Sequence, residues 1–110
     1  MLEVTDQDFF EKIIKADKPA IVDFYAEWCA PCKVLAPELE ELSQKYDGKI
    51  IFAKMSVEKN QQIPGSFGVM GIPAVLAFKN GKIVEQIAGT IEKSKVQKVI
   101  DEKLLIWYIR

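Results

Sequence analysis

The sequence predicts an α/β domain with a central mixed sheet, parallel in its first part and antiparallel in its last, and with helices on both faces. Residues 20–26 and 49–57 are apolar on both faces of a strand, and a long helical pattern separates them. Strands covered by helices on each side have this composition. Two further strand patterns meet at a tight turn near the end of the chain, which adds an antiparallel hairpin.

The first half of the chain is predicted to form a helix, a strand and a second helix. Thr5 or Asp6 can cap the first helix, which Lys18-Pro19 ends. The strand at residues 20–26 is apolar except for Asp23. The second helix follows Cys32, and an apolar stripe at helical spacing predicts its buried face: Leu35, Leu39, Leu42 and Tyr46.

The second half is predicted to form a strand, a short helix, a hairpin and a last helix. The strand at residues 49–57 precedes a polar stretch, 58–71, whose glycines and proline allow at most a short helix. Residues 72–78 and 82–87 form the hairpin around Asn80-Gly81. The last helix is predicted from apolar residues at helical spacing: Val96, Val99, Ile100, Leu104 and Trp107.

Composition and charge restrict the classes of protein. The chain has 110 residues, of which 49% are hydrophobic, so we expect one domain over residues 1–110. The net charge of -1 gives no electrostatic reason to expect nucleic acid. The start of the sequence lacks the pattern of a secretory signal, and no segment approaches membrane-spanning length. We therefore expect a cytoplasmic protein, in which a cysteine pair serves catalysis or metal binding rather than structural bridging.

Both cysteines, Cys29 and Cys32, lie three residues apart at the predicted start of the second helix. At this spacing their sulfurs can approach bonding distance. The helix dipole and free N–H groups favour a thiolate at Cys29, and Lys33 adds a weaker positive field. Asp23, desolvated in an apolar strand, is the expected proton acceptor for Cys32, because burial raises a carboxyl pKa towards that of a thiol.

Other interpretations of these residues stay open on spacing alone. Two cysteines also form half of a zinc site, but this chain has no histidine and no third cysteine, so a metal would have to be shared across a dimer. The thiols could be inert. Asp23 could be an ordinary satisfied buried carboxylate, and Lys54 could be its charge partner or could reach solvent along its stem.

Several separated motifs together resemble the thioredoxin family. They are residues 22–33, Ala53-Lys54, Gly71-Ile72-Pro73, residues 78–81 and Gly89, in this order and at these separations. The resemblance runs from about residue 3 to residue 104. It implies the thioredoxin fold, with Cys29 as nucleophile, Cys32 as resolving cysteine and Asp23 as the buried acid-base group.

The resemblance also implies a substrate surface and partners. Lys54 would lie near Asp23, and Pro73 would be a cis-proline facing the disulfide, with the Ile72 backbone able to pair with an extended substrate. The implied docking residues are Trp28, Ala30, Pro31, Gly71, Ile72, Pro73 and Gly89. The implied substrates are disulfide-containing proteins, and the electron source is a thioredoxin reductase. No metal or bound organic cofactor is expected, because the disulfide itself carries the two electrons.

The sequence departs from the family pattern in four places. Ala30 replaces a common glycine, Tyr25 a common tryptophan and Ala74 a common threonine, and the apolar extension at residues 105–110 is longer than usual. Ala30 and Ala74 leave open an oxidant or isomerase on the same fold, and a binding module that uses the docking surface is a further alternative. For the extension, we expect that Trp107 packs on the sheet of a monomer. The alternative is that the extension forms a dimer contact.

Overall fold

The computed structural model describes residues 1–105, so the predictions for Trp107 and the rest of the tail lie outside the described residues. Five strands form one sheet in the order β1-β3-β2-β4-β5. Their bounds are β1 Leu2–Glu3, β2 Ala20–Tyr25, β3 Ile51–Ser56, β4 Ala74–Lys79 and β5 Lys82–Ala88. The helices are α1 Phe10–Ile14, α2 Ala30–Lys45, α3 Gln62–Ser66 and α4 Lys93–Val99, which continues as a π-type turn, Ile100–Leu104.

The sheet is parallel in its first part and antiparallel in its last, as the sequence predicts. Strand β3 pairs in parallel with both β1 and β2, whereas β4 pairs antiparallel with β2 and β5. Asn80 and Gly81 both have positive φ, 54° and 78°, the geometry of a tight hairpin turn. A Cβ at Gly81 would lie 3.0 Å from the carbonyl oxygen of Ile14, so this turn also needs glycine for close packing.

Helices cover both faces of the sheet, and alternate residues of each strand face opposite layers. On one face, Ile21 and Val75 join a core that includes the buried stripe of α2 (Leu35, Leu39, Leu42) and that of α4 and its extension (Val96, Val99, Ile100, Leu104). On the other face, Val22 and Leu76 pack with Phe9 and Ile13 of the first helical segment. The apolar runs are continuous because both faces of the sheet are buried.

Two differences from the predicted elements concern strands. The sequence analysis missed β1, which has only two residues and therefore no alternating pattern. Strand β4 begins at Ala74 rather than at residue 72. Pro73 has no N–H group to donate to a strand ladder, which explains the later start.

Thr5 and Asp6 interact with different segments. Thr5 and Asp8 exchange hydrogen bonds, Thr5 N–H to Asp8 Oδ1 at 2.7 Å and Asp8 N–H to Thr5 Oγ1 at 3.3 Å, in the manner of a capping box, in the turn that precedes α1. The N-cap residue of α1 itself is Phe9, which has no side-chain cap. The Asp6 carboxylate instead accepts three N–H groups at the start of α3, from Gln61, Gln62 and Ile63, at 2.9–3.2 Å. Asp6 therefore ties the N-terminal segment to the chain that follows β3.

We expect Asp6→Ala to lower the free energy of unfolding by about 1–3 kcal/mol, because three N–H groups lose a charged acceptor. Asp6→Asn keeps one oxygen acceptor and should lose less. Urea unfolding at pH 7 measures the change. Asp17→Ala, at an exposed position outside the capping interactions, is the matched control, and equal unfolding midpoints for Asp6→Ala and Asp17→Ala would contradict the assignment.

Candidate active site

Cys29 and Cys32 form a disulfide at the point where β2 leads into α2. Cys29 is the N-cap of α2, with extended backbone angles (φ -88°, ψ 106°), and its Sγ accepts the Cys32 N–H at 3.2 Å. Pro31 occupies the first turn, where a helix needs no N–H donor. A sulfur at this position receives both an amide hydrogen bond and the positive end of the helix dipole, and both favour the Cys29 thiolate in the reduced protein.

Both sulfurs are close to the surface but largely covered. Cys29 is 4% exposed and Cys32 is 3% exposed, and they pack with Ala26, Tyr25 and Ile72. The disulfide is therefore largely covered by apolar side chains.

Asp23 lies in the middle of β2 and is buried, with 2% of its surface exposed. Its Oδ1 accepts no hydrogen bond from any of residues 1–105. Burial raises the pKa of this carboxyl from 3.8 to about 7, although the positive charge of Lys54 acts in the opposite direction. Asp23 can therefore exchange a proton near neutral pH, unlike an exposed aspartate.

A small cavity of about 150 Å³ brings Asp23, Cys32, Lys33 and Lys54 to one place. Asp23 and Lys54 are directly opposite each other in the β2–β3 register. The cavity exceeds the space of a water molecule, about 30 Å³, and Asp23 and Lys54 supply polar partners for one. The arrangement provides a polar space that both the Asp23 carboxyl and the Cys32 side chain border.

Glu3 of β1 contacts Lys54, the residue of β3 that is directly opposite Asp23. Its carboxylate accepts the Tyr25 hydroxyl at 3.0 and 3.1 Å and lies 3.8 Å from Lys54 Nζ. Lys54 Nζ also lies 5.6 Å from the centre of the Tyr25 ring. Burial, followed by the hydrogen bond to Glu3, raises the pKa of Tyr25 to about 12, so this hydroxyl stays a donor. The sequence analysis missed Glu3 because the strand that carries it was not predicted.

A groove of about 1000 Å³ runs beside the disulfide. Five of the predicted docking residues line it, namely Ala30, Pro31, Ile72, Pro73 and Gly89. The Ile72–Pro73 peptide bond is cis, as the resemblance implies. Trp28, 70% exposed, and Gly71 do not line this groove. Met70, which the sequence analysis did not single out, is 95% exposed directly before Gly71.

Among residues 1–105, no three cysteine or carboxylate side chains lie close enough together to hold a metal ion. None of the helices there combines the length and the apolar composition that crossing a membrane requires.

The mixed sheet and the cysteine pair at a helix N-terminus define a thiol-disulfide oxidoreductase, and comparison with known proteins gives its family. The model of the thioredoxin family matches residues 1–102. The chain is 44% identical to thioredoxin 2 of Chlorobaculum tepidum over 102 residues, covering 93% of this chain and 94% of the relative. It is 38% identical to the thioredoxin of Pseudomonas aeruginosa over 104 residues, covering 94% and 96%. The chain belongs to the thioredoxin family.

Proposed function

We propose that this oxidoreductase works as a reductant of protein disulfides, with Cys29 as the nucleophile. The observation that carries the proposal is the position of Cys29 as the N-cap of α2, where the Cys32 N–H is bonded to its sulfur. The Cys29 thiolate attacks one sulfur of a substrate disulfide. The substrate S–S bond breaks, a Cys29–substrate mixed disulfide forms, and the first substrate sulfur leaves as a thiolate that takes a proton from solvent.

In the second step, Cys32 resolves the mixed disulfide. The Cys32 thiol gives its proton to the Asp23 carboxylate, directly or through water in the cavity that both residues border. The Cys32 thiolate then attacks Cys29 Sγ, forms the Cys29–Cys32 disulfide and releases the second substrate thiolate. Two electrons pass from the protein to the substrate. Lys54, opposite Asp23, and Lys33, at the cavity rim, adjust the proton affinity of the site.

Substrates dock as extended segments beside the disulfide. The Ile72 backbone pairs with the substrate main chain, and the groove beside Ala30 and Pro31 takes its side chains. Trp28 and Gly71 lie outside the groove and contact the substrate on the flank. The large exposed fractions of Trp28 and Met70 suit residues that become covered on docking.

A thioredoxin reductase returns the oxidised pair to the dithiol, and the protein acts in the cytoplasm without a resident cofactor. The family membership supports the reductase and the disulfide substrates. We also propose that the protein is a monomer and that residues 105–110 form an apolar extension of one domain. Leu104 is fully buried and Leu105 packs against the same core, which supports continuity up to residue 105.

The reduction potential of the Cys29–Cys32 pair tests the direction of electron flow. The pair is equilibrated in thiol-disulfide buffers of defined potential, and free thiols are counted. We expect a value near that of thioredoxin, about -270 mV. A value nearer about -180 mV, as in protein disulfide isomerase, would contradict the reductant and favour an isomerase or oxidant. In that case Ala30→Gly is the first variant to make, because Ala30 lies between the two cysteines in place of a common glycine.

A further inference from the structure

The groove beside the disulfide carries unbalanced negative charge. Glu38 of α2 and Glu92, the residue before α4, both line it, and neither forms an ion pair with any of residues 1–105. Lys93 also lines the groove, but its ammonium is ion-paired with Glu41. The charged side chains that line the groove are therefore two carboxylates and one lysine that is already paired with Glu41, so the groove is net negative.

The position of Glu38 fixes where a charged substrate group would lie. Pro31, Val34, Leu35 and Glu38 line the groove at helical spacing, so α2 presents an apolar surface that begins beside Cys29 and ends at a carboxylate. The reacting sulfur of a substrate lies at Cys29, nine residues before Glu38, which at a helical rise of about 1.5 Å per residue is about 13 Å. Three residues of an extended peptide cover about 10 Å, and a long lysine or arginine side chain spans the remainder.

We propose that this groove selects substrate segments that carry a lysine or arginine about three residues from the reacting cysteine. The inference rests on the proposed function, because it names the substrate class of the same site. Opposite charges across a docking surface mainly raise the rate of association and suppress wrong partners. A segment with a carboxylate at that position would meet Glu38 and Glu92 and would be disfavoured.

The test uses short disulfide-bonded peptides that differ at one position, three residues from the cysteine, on its N-terminal or C-terminal side. Lysine, glutamine and glutamate are compared there. The measurement is the second-order rate constant for reduction by the dithiol form of the protein. We expect the lysine peptide to react about tenfold faster than the glutamate peptide at low salt, on one of the two sides. Screening should reduce the ratio to about twofold at 0.5 M salt.

Two double variants test whether the carboxylates of the groove cause the charge preference. Glu38→Gln with Glu92→Gln should bring the lysine-to-glutamate ratio close to one. Asp47→Asn with Glu102→Gln removes the same charge from exposed positions outside the groove, and this control should keep the preference.

The outcomes separate this inference from the proposed function. If the glutamine peptide is reduced but the three peptides react equally on both sides, the charge preference is wrong and the reductant stands. A preference that survives in the double Glu38, Glu92 variant would also overturn it. If none of the peptides is reduced at all, the proposed function fails, and the inference fails with it.

Discussion

Cys32→Ser protein is expected to accumulate mixed disulfides with its substrates and to lose turnover. The variant keeps Cys29 at the N-cap of α2, where the helix N-terminus favours its thiolate, so the first attack proceeds. Serine cannot attack the mixed disulfide, so the second step is left to slow external thiols. We expect turnover to fall by about 10³-fold or more, as for the loss of other essential nucleophiles. Non-reducing mass spectrometry should show a substrate adduct on Cys29 in high yield.

Cys29→Ser is the matched variant, because it removes the other sulfur from the same pair. Cys32 remains 3% exposed in the structure, and we expect no adduct and no turnover from it. Turnover that survives in Cys29→Ser, or adducts that form on Cys32 instead, would contradict the assignment of the nucleophile. The insulin disulfides are a suitable common substrate for both variants.

Asp23→Asn is expected to stabilise the oxidised protein by about 4 kcal/mol at pH 8 and to have little effect near pH 3. The carboxyl has a pKa of about 7 in the folded protein against 3.8 as the ordinary value, so the folded state binds the proton more tightly. The contribution of Asp23 to the free energy of unfolding is therefore fully present below about pH 4, is lost as the pH rises from about 4 to 7, and stays absent above 7. Each pKa unit of difference between the folded and the unfolded state corresponds to about 1.4 kcal/mol.

Urea unfolding at pH 3, 6 and 8 measures this stabilisation. Asparagine is neutral at all these pH values and fills nearly the same volume, so the gain should be absent at pH 3, partial at pH 6, where the carboxyl is ionised in the unfolded chain, and complete at pH 8. Asp47→Asn, at an exposed position, serves as the control for a change in net charge. A gain that is equal at pH 3 and pH 8 would show that packing, rather than the buried charge, is responsible.

The same substitution is expected to slow resolution more than attack. Asparagine accepts no proton from Cys32, so the second step should slow by about 10²-fold, the usual size of a general-base contribution. The first step uses the Cys29 thiolate, which the helix N-terminus stabilises without Asp23. Stopped-flow traces resolve the two steps. Traces in which only the attack is slowed would refute the role of Asp23.

Most of the fold could be predicted because it depends on patterns that extend over many residues. Continuous apolar runs predict strands that are buried on both faces, and the apolar stripe of α2 predicts a helix that is buried on one face. In the structure, Ile21, Phe52 and the stripe of α2 are buried. The turn at Asn80-Gly81 is a local signal, because asparagine and glycine adopt the positive φ angles that a tight hairpin turn requires. Cys29, Cys32 and Asp23 could be singled out for the same reason, since each differs from an otherwise regular pattern.

What the sequence analysis missed depends on contacts between distant parts of the chain. Asp6 was a candidate cap for the first helix, but its carboxylate meets residues more than fifty positions later. Glu3 reaches Tyr25 and Lys54 only because β1 adds to the edge of β3. The hydrophobic periodicity of a sequence does not indicate which strands pair with each other. The charges of Glu38 and Glu92 likewise meet in one groove only after α2 and α4 have packed together.

The pairing of β1 with β3 has a consequence for synthesis on the ribosome. Residues 2–6 are synthesised before β3, and Asp6 finds its partner Asn60 only 54 residues later. At about 5–20 residues per second, the N-terminal segment waits roughly 3 to 11 s for its partners to be translated. Until then its apolar residues, Leu2, Val4 and Phe9, stay exposed. A chaperone that binds apolar segments of nascent chains therefore has several seconds in which to bind this segment.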